Sequence, residues 1–386
     1  MINHPPIYLD YQASTPVDSR VYEQRMPFFM GEFSNPHSSE HAGGWTATKV
    51  IDRAAQQVAG LIGADADEII FCSGATEANN LAILGSARRS KKRKRILVSS
   101  IEHKCVWAAA ERLEGEGFTL EFIPVHESGE IDLDWLRQKI DEDVFMVSIM
   151  AVNNEIGTIQ PLKEISKIVC EYGTFFHCDA AQAPCAINID VLDLKIDLLS
   201  LSSHKIYGPK GIGALYIRRE LQDSIEPLIY GGGQQRGLRS GTLPVPLCVG
   251  LGSAAAILSE DSAIEERKRV GSLRDQFVLG LKEKLRMCSM NGAAIDMRHP
   301  GNANICFEGL VAQDILMALQ PQVYASTGSA CNSGIVESSY VLRAIGLAED
   351  EARSSARFSL GRFTTKDDII QSIDIIENVV EKLSRY

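Results

Sequence analysis

At 386 residues the chain can hold one large domain and one smaller one, and 45% hydrophobic residues suffice for a substantial core. Thirty-nine basic against 50 acidic residues give a net charge of −11, which disfavours the phosphate attraction on which nucleic-acid binders rely, so no direct nucleic-acid binding is expected. Nine cysteines contain no Cys-x-x-Cys pair and are odd in number, which argues against both a zinc site and a disulfide framework.

From Glu68 onward, short β-rich runs alternate with longer amphipathic stretches. The spacing predicts strands over 68–72, 95–99, 118–124, 144–152, 175–179, 197–202 and 213–218, with helices over 77–87, 105–113, 133–140 and 162–172. Such alternation predicts an α/β fold with a large, mostly parallel sheet covered by helices on both faces. Past Gly231-Gly232-Gly233 a long helix begins near Val245, and the texture then changes. A charged helix over 264–285, short strands over 303–307 and 356–360, and a closing amphipathic helix over 367–383 predict a smaller α+β domain. The expected division is 15–260 for the large domain and 1–14 with 261–386 for the small one.

No Arg-rich or signal-like segment precedes Ile7, and no apolar run approaches the roughly 18 residues of a membrane span, so a cytoplasmic protein without membrane contact is expected. The basic run 88–95 reads as a solvated helix end and loop rather than a docking patch.

Lys205 and Asp179 each end a short apolar run. A lysine amine can form an imine with an aldehyde cofactor, and a buried carboxylate can keep a pyridine nitrogen protonated, so the pair points to pyridoxal 5'-phosphate. Ser73-Gly74-Ala75-Thr76 stands where a strand turns into a helix and can offer a phosphate backbone donors. His103 could lie flat on a ring and move protons, and Gln182 could reach a phenolic oxygen. Cys331 lies in the small, polar run Ser326-Thr327-Gly328-Ser329-Ala330-Cys331-Asn332-Ser333-Gly334, the composition of a loop. Cys72, Cys178 and Cys306 sit in apolar runs and read as inert buried thiols.

Further motifs follow in order: Tyr8-Leu9-Asp10-Tyr11, Asn35-Pro36-His37-Ser38, Glu102-His103-Lys104, Asn153-Asn154-Glu155-Ile156-Gly157, His204-Lys205-Ile206-Tyr207-Gly208-Pro209, Arg239-Ser240-Gly241-Thr242 and Arg357-Phe358-Ser359-Leu360-Gly361-Arg362. From Ile7 to the C-terminus the set resembles the cysteine desulfurases of the IscS/NifS type, within the class V aminotransferase-like enzymes. The resemblance implies a homodimer with pyridoxal phosphate fold type I, shared with aspartate aminotransferase. It implies that Lys205 anchors the cofactor, Asp179 partners its ring nitrogen, His103 stacks on the ring and Gln182 bonds its phenolic oxygen. Ala75, Thr76, Ser202 and His204 are implied to hold the phosphate, with Thr242 entering from the other subunit. Asn154 and Arg357, assisted by Asn35, are implied to take the carboxylate of L-cysteine, for which a forked guanidinium is suited.

The implied reaction has Lys205 remove the α-proton and the Cys331 thiolate take the sulfur as a persulfide, leaving alanine, before delivery to a sulfur-acceptor protein. Acceptors of such enzymes serve iron-sulfur cluster assembly, transfer-RNA thiolation or DNA phosphorothioation. Housekeeping members carry a tail that docks the iron-sulfur scaffold, whereas this sequence stops at Tyr386, which inclines the expectation toward a specialised pathway. The competing readings are a lyase that does not use Cys331, such as a selenocysteine lyase, and a non-catalytic sulfur-carrier or scaffold protein.

Overall fold

The structure, a computed structural model, describes residues 5–90, 92–328 and 338–385. Strands β1 (Ile7–Tyr8), β2 (Ile69–Cys72), β3 (Arg95–Ser99), β4 (Thr119–Ile123), β5 (Val144–Ser148), β6 (Phe175–Asp179), β7 (Leu198–Ser202) and β8 (Gly213–Ile217) come first. β9 (Cys288–Met290), β10 (Asn302–Phe307), β11 (Val323–Tyr324) and β12 (Ser355–Ser359) follow. A seven-stranded sheet has the order β2-β8-β7-β6-β5-β3-β4. From β7 through β4 all pairings are parallel, whereas β8 runs antiparallel to both its neighbours, β2 and β7. The run 213–218 therefore looks like its neighbours in sequence but is the one reversed strand of the sheet.

The strands β2, β5, β7 and β8 are buried at every residue, as expected of a sheet covered on both faces. One apolar cluster packs Leu97, Val147, Phe176, Leu199 and Leu201 against the helices Ala42–Ile62 and Val245–Leu258. A second, with Ile70, Ile96, Val98, Met146 and Leu215, fills the other face. The helix Ala42–Ile62 precedes the region where alternation is legible. It packs so closely on Val245–Leu258 that a Cβ on Gly252 would meet Ala54 Cα at 2.7 Å, so glycine is required there by the close approach.

A three-stranded antiparallel sheet, β12-β10-β9, carries its own cluster of Phe277, Ile305, Phe307, Phe358 and Ile376, beneath the helices Ser262–Lys284 and Lys366–Leu383. β1 pairs in parallel with β11 beside it, and Asp10 bridges to Ser359. From there the chain crosses to the large sheet, where Thr15 N–H donates to His204 O at 2.9 Å. In the basic run, Lys94 lies over the Phe118 ring, Arg95 pairs with Glu121, and Arg93 donates to the Val144 and Gly173 carbonyls. These cations work inside the fold. No single helix among the described residues is long and apolar enough to cross a membrane.

Candidate active site

A cleft of about 700 Å³ opens at the carboxyl ends of the parallel strands, where ligands sit in open α/β sheets. It is lined by ten of the thirteen residues expected at the site: Ala75, Thr76, His103, Asn154, Asp179, Gln182, Ser202, His204, Lys205 and Arg357. Asn35 and Thr242 are exposed and are not part of this lining. Cys331 lies outside the described residues.

Asp179 ends β6 and is buried. Its Oδ2 accepts from Asn79 Nδ2 at 2.7 Å and its Oδ1 from the Ala181 N–H at 2.9 Å, so the carboxylate is fixed in one plane. Lys205 follows the end of β7, and its Nζ donates to the carbonyls of Gln12 at 2.6 Å and Ala13 at 2.9 Å. Burial, together with the charge of Arg357, pulls its pKa down to about 8 against the opposing pull of Asp10 and Asp179. Gln182 Nε2 donates to the same Gln12 carbonyl at 2.9 Å. The carbonyls of Gln12 and Ala13 thus hold the amine in place, a role that no local pattern in the sequence announces.

Gly74 precedes the first helical turn, Ala75–Asn80, and a Cβ built on it meets nothing within 4 Å, so the turn offers bare backbone to the cleft. Behind it, a Cβ on Gly213 would lie 2.7 Å from Gly74 Cα. Glu77 Oε2 accepts from the Ser73 N–H at 2.7 Å, and Oε1 accepts from Arg239 Nε at 2.8 Å. Burial opposes ionisation of Glu77, but these partners outweigh it and hold its carboxyl below the ordinary range. His204 Nδ1 lies 3.2 Å from Ser14 Oγ, and burial with Lys205 and Lys210 nearby brings its pKa to about 4.

His103 caps the helix Lys104–Glu114 with Nδ1, which accepts from the Cys105 N–H at 3.2 Å. The ring faces the cleft opening, and loss of bulk water around it lowers its pKa, opposed by Asp179 and reinforced by Lys205 and Lys104. The neighbouring Glu102 is fully buried. Burial first, then the charge of Asp179, push its carboxyl far above the usual range, and backbone groups of Met150 and His103 offset only part of this.

Arg357, on β12, reaches the cleft from the small sheet. Nη1 donates to Asn154 O at 2.7 Å, and Nη2 donates to Asp10 Oδ1 at 2.7 Å and Ser326 Oγ at 2.8 Å. Nε is buried without a hydrogen-bond partner. A buried donor left unsatisfied costs about 1–3 kcal/mol.

These residues fit a phosphate-bearing aldehyde of a pyridine. An open glycine turn, an amine of lowered proton affinity, a fixed carboxylate and a guanidinium side chain share one cavity. Among the described residues no group of three or more His, Cys, Asp or Glu side chains could hold a metal ion. Sequence reasoning missed Asp10, Gln12, Asn79 and Cys105. Asp10 lay inside the run Tyr8-Leu9-Asp10-Tyr11 without a role, and Asn79 three residues after Thr76 on the same helix; Gln12 and Cys105 carried no local signal.

The model of the class-V aminotransferases matches residues 7–371. The chain is 48% identical over 386 residues to the cysteine desulfurase IscS of Rickettsia felis, covering 99% of this chain and 93% of that protein. Among solved structures, a NifS-like protein superposes with a TM-score of 0.91 at 34% identity, covering 98% of this chain and all of that one. SspA in complex with cysteine gives 0.81 at 40% identity, covering 93% and 99%. With a family model spanning nearly its whole length and relatives this similar, the chain belongs to the class-V aminotransferases, in the pyridoxal-phosphate-dependent cysteine desulfurase branch.

Proposed function

We propose that the protein takes sulfur from L-cysteine, leaves L-alanine, and carries the sulfur as a persulfide on Cys331 to an acceptor protein. One observation carries this reading: the Lys205 amine, the Asp179 carboxylate and the Gly74–Thr76 turn face a single cleft into which Arg357 also reaches.

Pyridoxal phosphate, when bound, supplies an aldehyde for amines and a ring that accepts electrons. Ala75, Thr76, Ser202 and His204 would hold its phosphate, Asp179 its ring nitrogen, Gln182 its phenolic oxygen and His103 its face. Lys205 supplies the anchoring amine, and the lowering of its proton affinity by burial brings the neutral amine, the form that accepts the substrate α-proton, closer to neutral pH. Arg357 and Asn154 orient the substrate carboxylate, for which a forked guanidinium is suited. Burial lowers the proton affinity of His103, which favours its neutral ring, and the imidazole can move a proton in the cleft. As the substrate carbon–sulfur bond breaks, a sulfur–sulfur bond forms at Cys331, and the carbon left behind takes a proton and departs as alanine.

A homodimer is part of the proposal. Met30, Phe33, Trp45 and Tyr230 are 84%, 73%, 56% and 70% exposed, large apolar side chains of the kind that a second copy would cover. Thr242 would then reach the phosphate from the other subunit, and Asn35 would assist at the substrate carboxylate. The division into 15–260 and 1–14 with 261–386 is proposed on the separate apolar clusters of the two sheets.

Purified protein should absorb visible light, bleach with borohydride, and lose the band in Lys205→Ala. Cys331→Ser should keep the band and lose alanine formation. Undiminished alanine formation in that variant would favour a lyase that bypasses Cys331, and a colourless wild type would favour a non-catalytic sulfur carrier. Transfer of radiolabelled sulfur to proteins in a lysate would identify the acceptor.

A further inference from the structure

A bridge of side chains under the cleft links the residue expected over the ring to the one expected at its nitrogen. Asn79 is wholly buried, and its Nδ2 donates both to Asp179 Oδ2 at 2.7 Å and to Cys105 Sγ at 3.3 Å. Cys105 Sγ lies 3.0 Å from His103 Nδ1, and Cys105 lines the cleft. Asn79 Oδ1 is buried with no partner, so the amide is committed to its two acceptors at the expense of its own oxygen.

The donors fix the direction of the bridge. Backbone N–H of Cys105 already donates to His103 Nδ1, so in the neutral ring Nδ1 is the acceptor and the proton sits on Nε2. The sulfur accepts from Asn79, and its own S–H shares the Nδ1 lone pair with that backbone N–H in a three-centre contact. Burial first, then the charge of Asp179, push the Cys105 thiol up to about 12, with Glu102 adding and Asn79 and Thr76 opposing, so the proton that the bridge needs stays on sulfur.

We infer that Asn79 and Cys105 are positioning residues that lock the His103 tautomer with its Nε2 proton outward and tie the imidazole to the Asp179 carboxylate. The inference rests on the reading of this cleft as the cofactor site. Neither residue needs to touch substrate. Cys105 acts as a hydrogen-bonding element rather than as a nucleophile.

The test compares wild type, Cys105→Ala, Cys105→Ser and Asn79→Ala. In cofactor-free protein, nitrogen NMR of labelled histidine should show His103 protonated on Nε2, with the Nδ1 resonance displaced in Cys105→Ala and restored toward wild type in Cys105→Ser. In the loaded enzyme, Cys105→Ala should lower kcat about fivefold with KM nearly unchanged, the loss expected for one neutral hydrogen bond. The serine variant should recover most of it. Asn79→Ala should shift the pH midpoint of the visible band, because the carboxylate loses a donor. An Nδ1 resonance identical in wild type and Cys105→Ala, or an alanine variant as active as wild type, overturns the inference. A wild type that binds no pyridoxal phosphate overturns instead the reading of the cleft, and the NMR comparison in cofactor-free protein still decides whether the bridge exists.

Discussion

Arg357 Nη2 and Asp10 Oδ1 lie 2.7 Å apart, an ion pair whose side chains are 4% and 18% exposed and which joins the small sheet to the segment entering the cleft. Asp10 Oδ1 also accepts from Ser326 Oγ at 2.9 Å. One carboxylate therefore orients a guanidinium and ties it to the start of the run that leads to Cys331.

Arg357→Lys keeps the charge but loses the fork, so KM for cysteine should rise roughly 10-fold or more, as for a lost charge-assisted hydrogen bond. Asp10→Asn should raise KM less, because Nη1 still holds Asn154 O. Steady-state alanine production measures both. Equal KM values in all three proteins would remove Arg357 from substrate binding.

Lys205 has its pKa lowered from 10.5 to about 8, so the unfolded chain binds more protons than the folded one between these values. Stability of the cofactor-free protein should then rise with pH across that window, the burial cost being fully present below pH 8 and relieved toward 10.5. Lys205→Met should melt higher than wild type at pH 7, and the gap should close as pH climbs through the window. Thermal melts over that range check it, and a gap independent of pH would contradict the lowered pKa.

Gly74 and Gly213 separate folding from binding. A Cβ at Gly213 would lie 2.5 Å from Leu201 O, so Gly213→Ala should cost about 1–3 kcal/mol through overpacking between β7 and β8. A Cβ at Gly74 meets nothing within 4 Å, and its φ of 162° is extended backbone, so Gly74→Ala should fold normally yet lose pyridoxal phosphate affinity. Denaturant melts and absorbance titration with the cofactor tell the two apart.

Glu77 and Arg239 are 15% and 19% exposed and brace the turn at Ser73. Each single alanine variant should weaken cofactor retention. The double-mutant cycle should return a coupling of about 0.5–3 kcal/mol, as residues in one network do, and strict additivity would show that the pair does not brace the turn.

Local periodicity sufficed for the strands β2 to β8 because each is a short apolar run flanked by turn residues, and the motifs at their ends fell at the ligand-binding edge of the sheet. It gave no helix over Ala42–Ile62, which opens on the poor helix formers Gly43 and Gly44 and whose stability comes from packing on Val245–Leu258. It also gave no hint that β8 is reversed, since a fully buried strand reads the same in either direction.

Lys205, Asp179, His103 and the 73–76 turn were legible because their chemistry is local: residue type plus position at a strand end states what each can do. The partners that tune them were not legible, because they come from far along the chain. Gln12 meets Lys205 across 193 positions and Asp10 meets Arg357 across 347, and nothing in one segment encodes the identity of the other. The chemistry of this protein was thus set by its sequence, whereas the proton affinities and orientations of its reactive groups were decided only when folding removed water and brought distant carbonyls, amides and charges to within 3 Å.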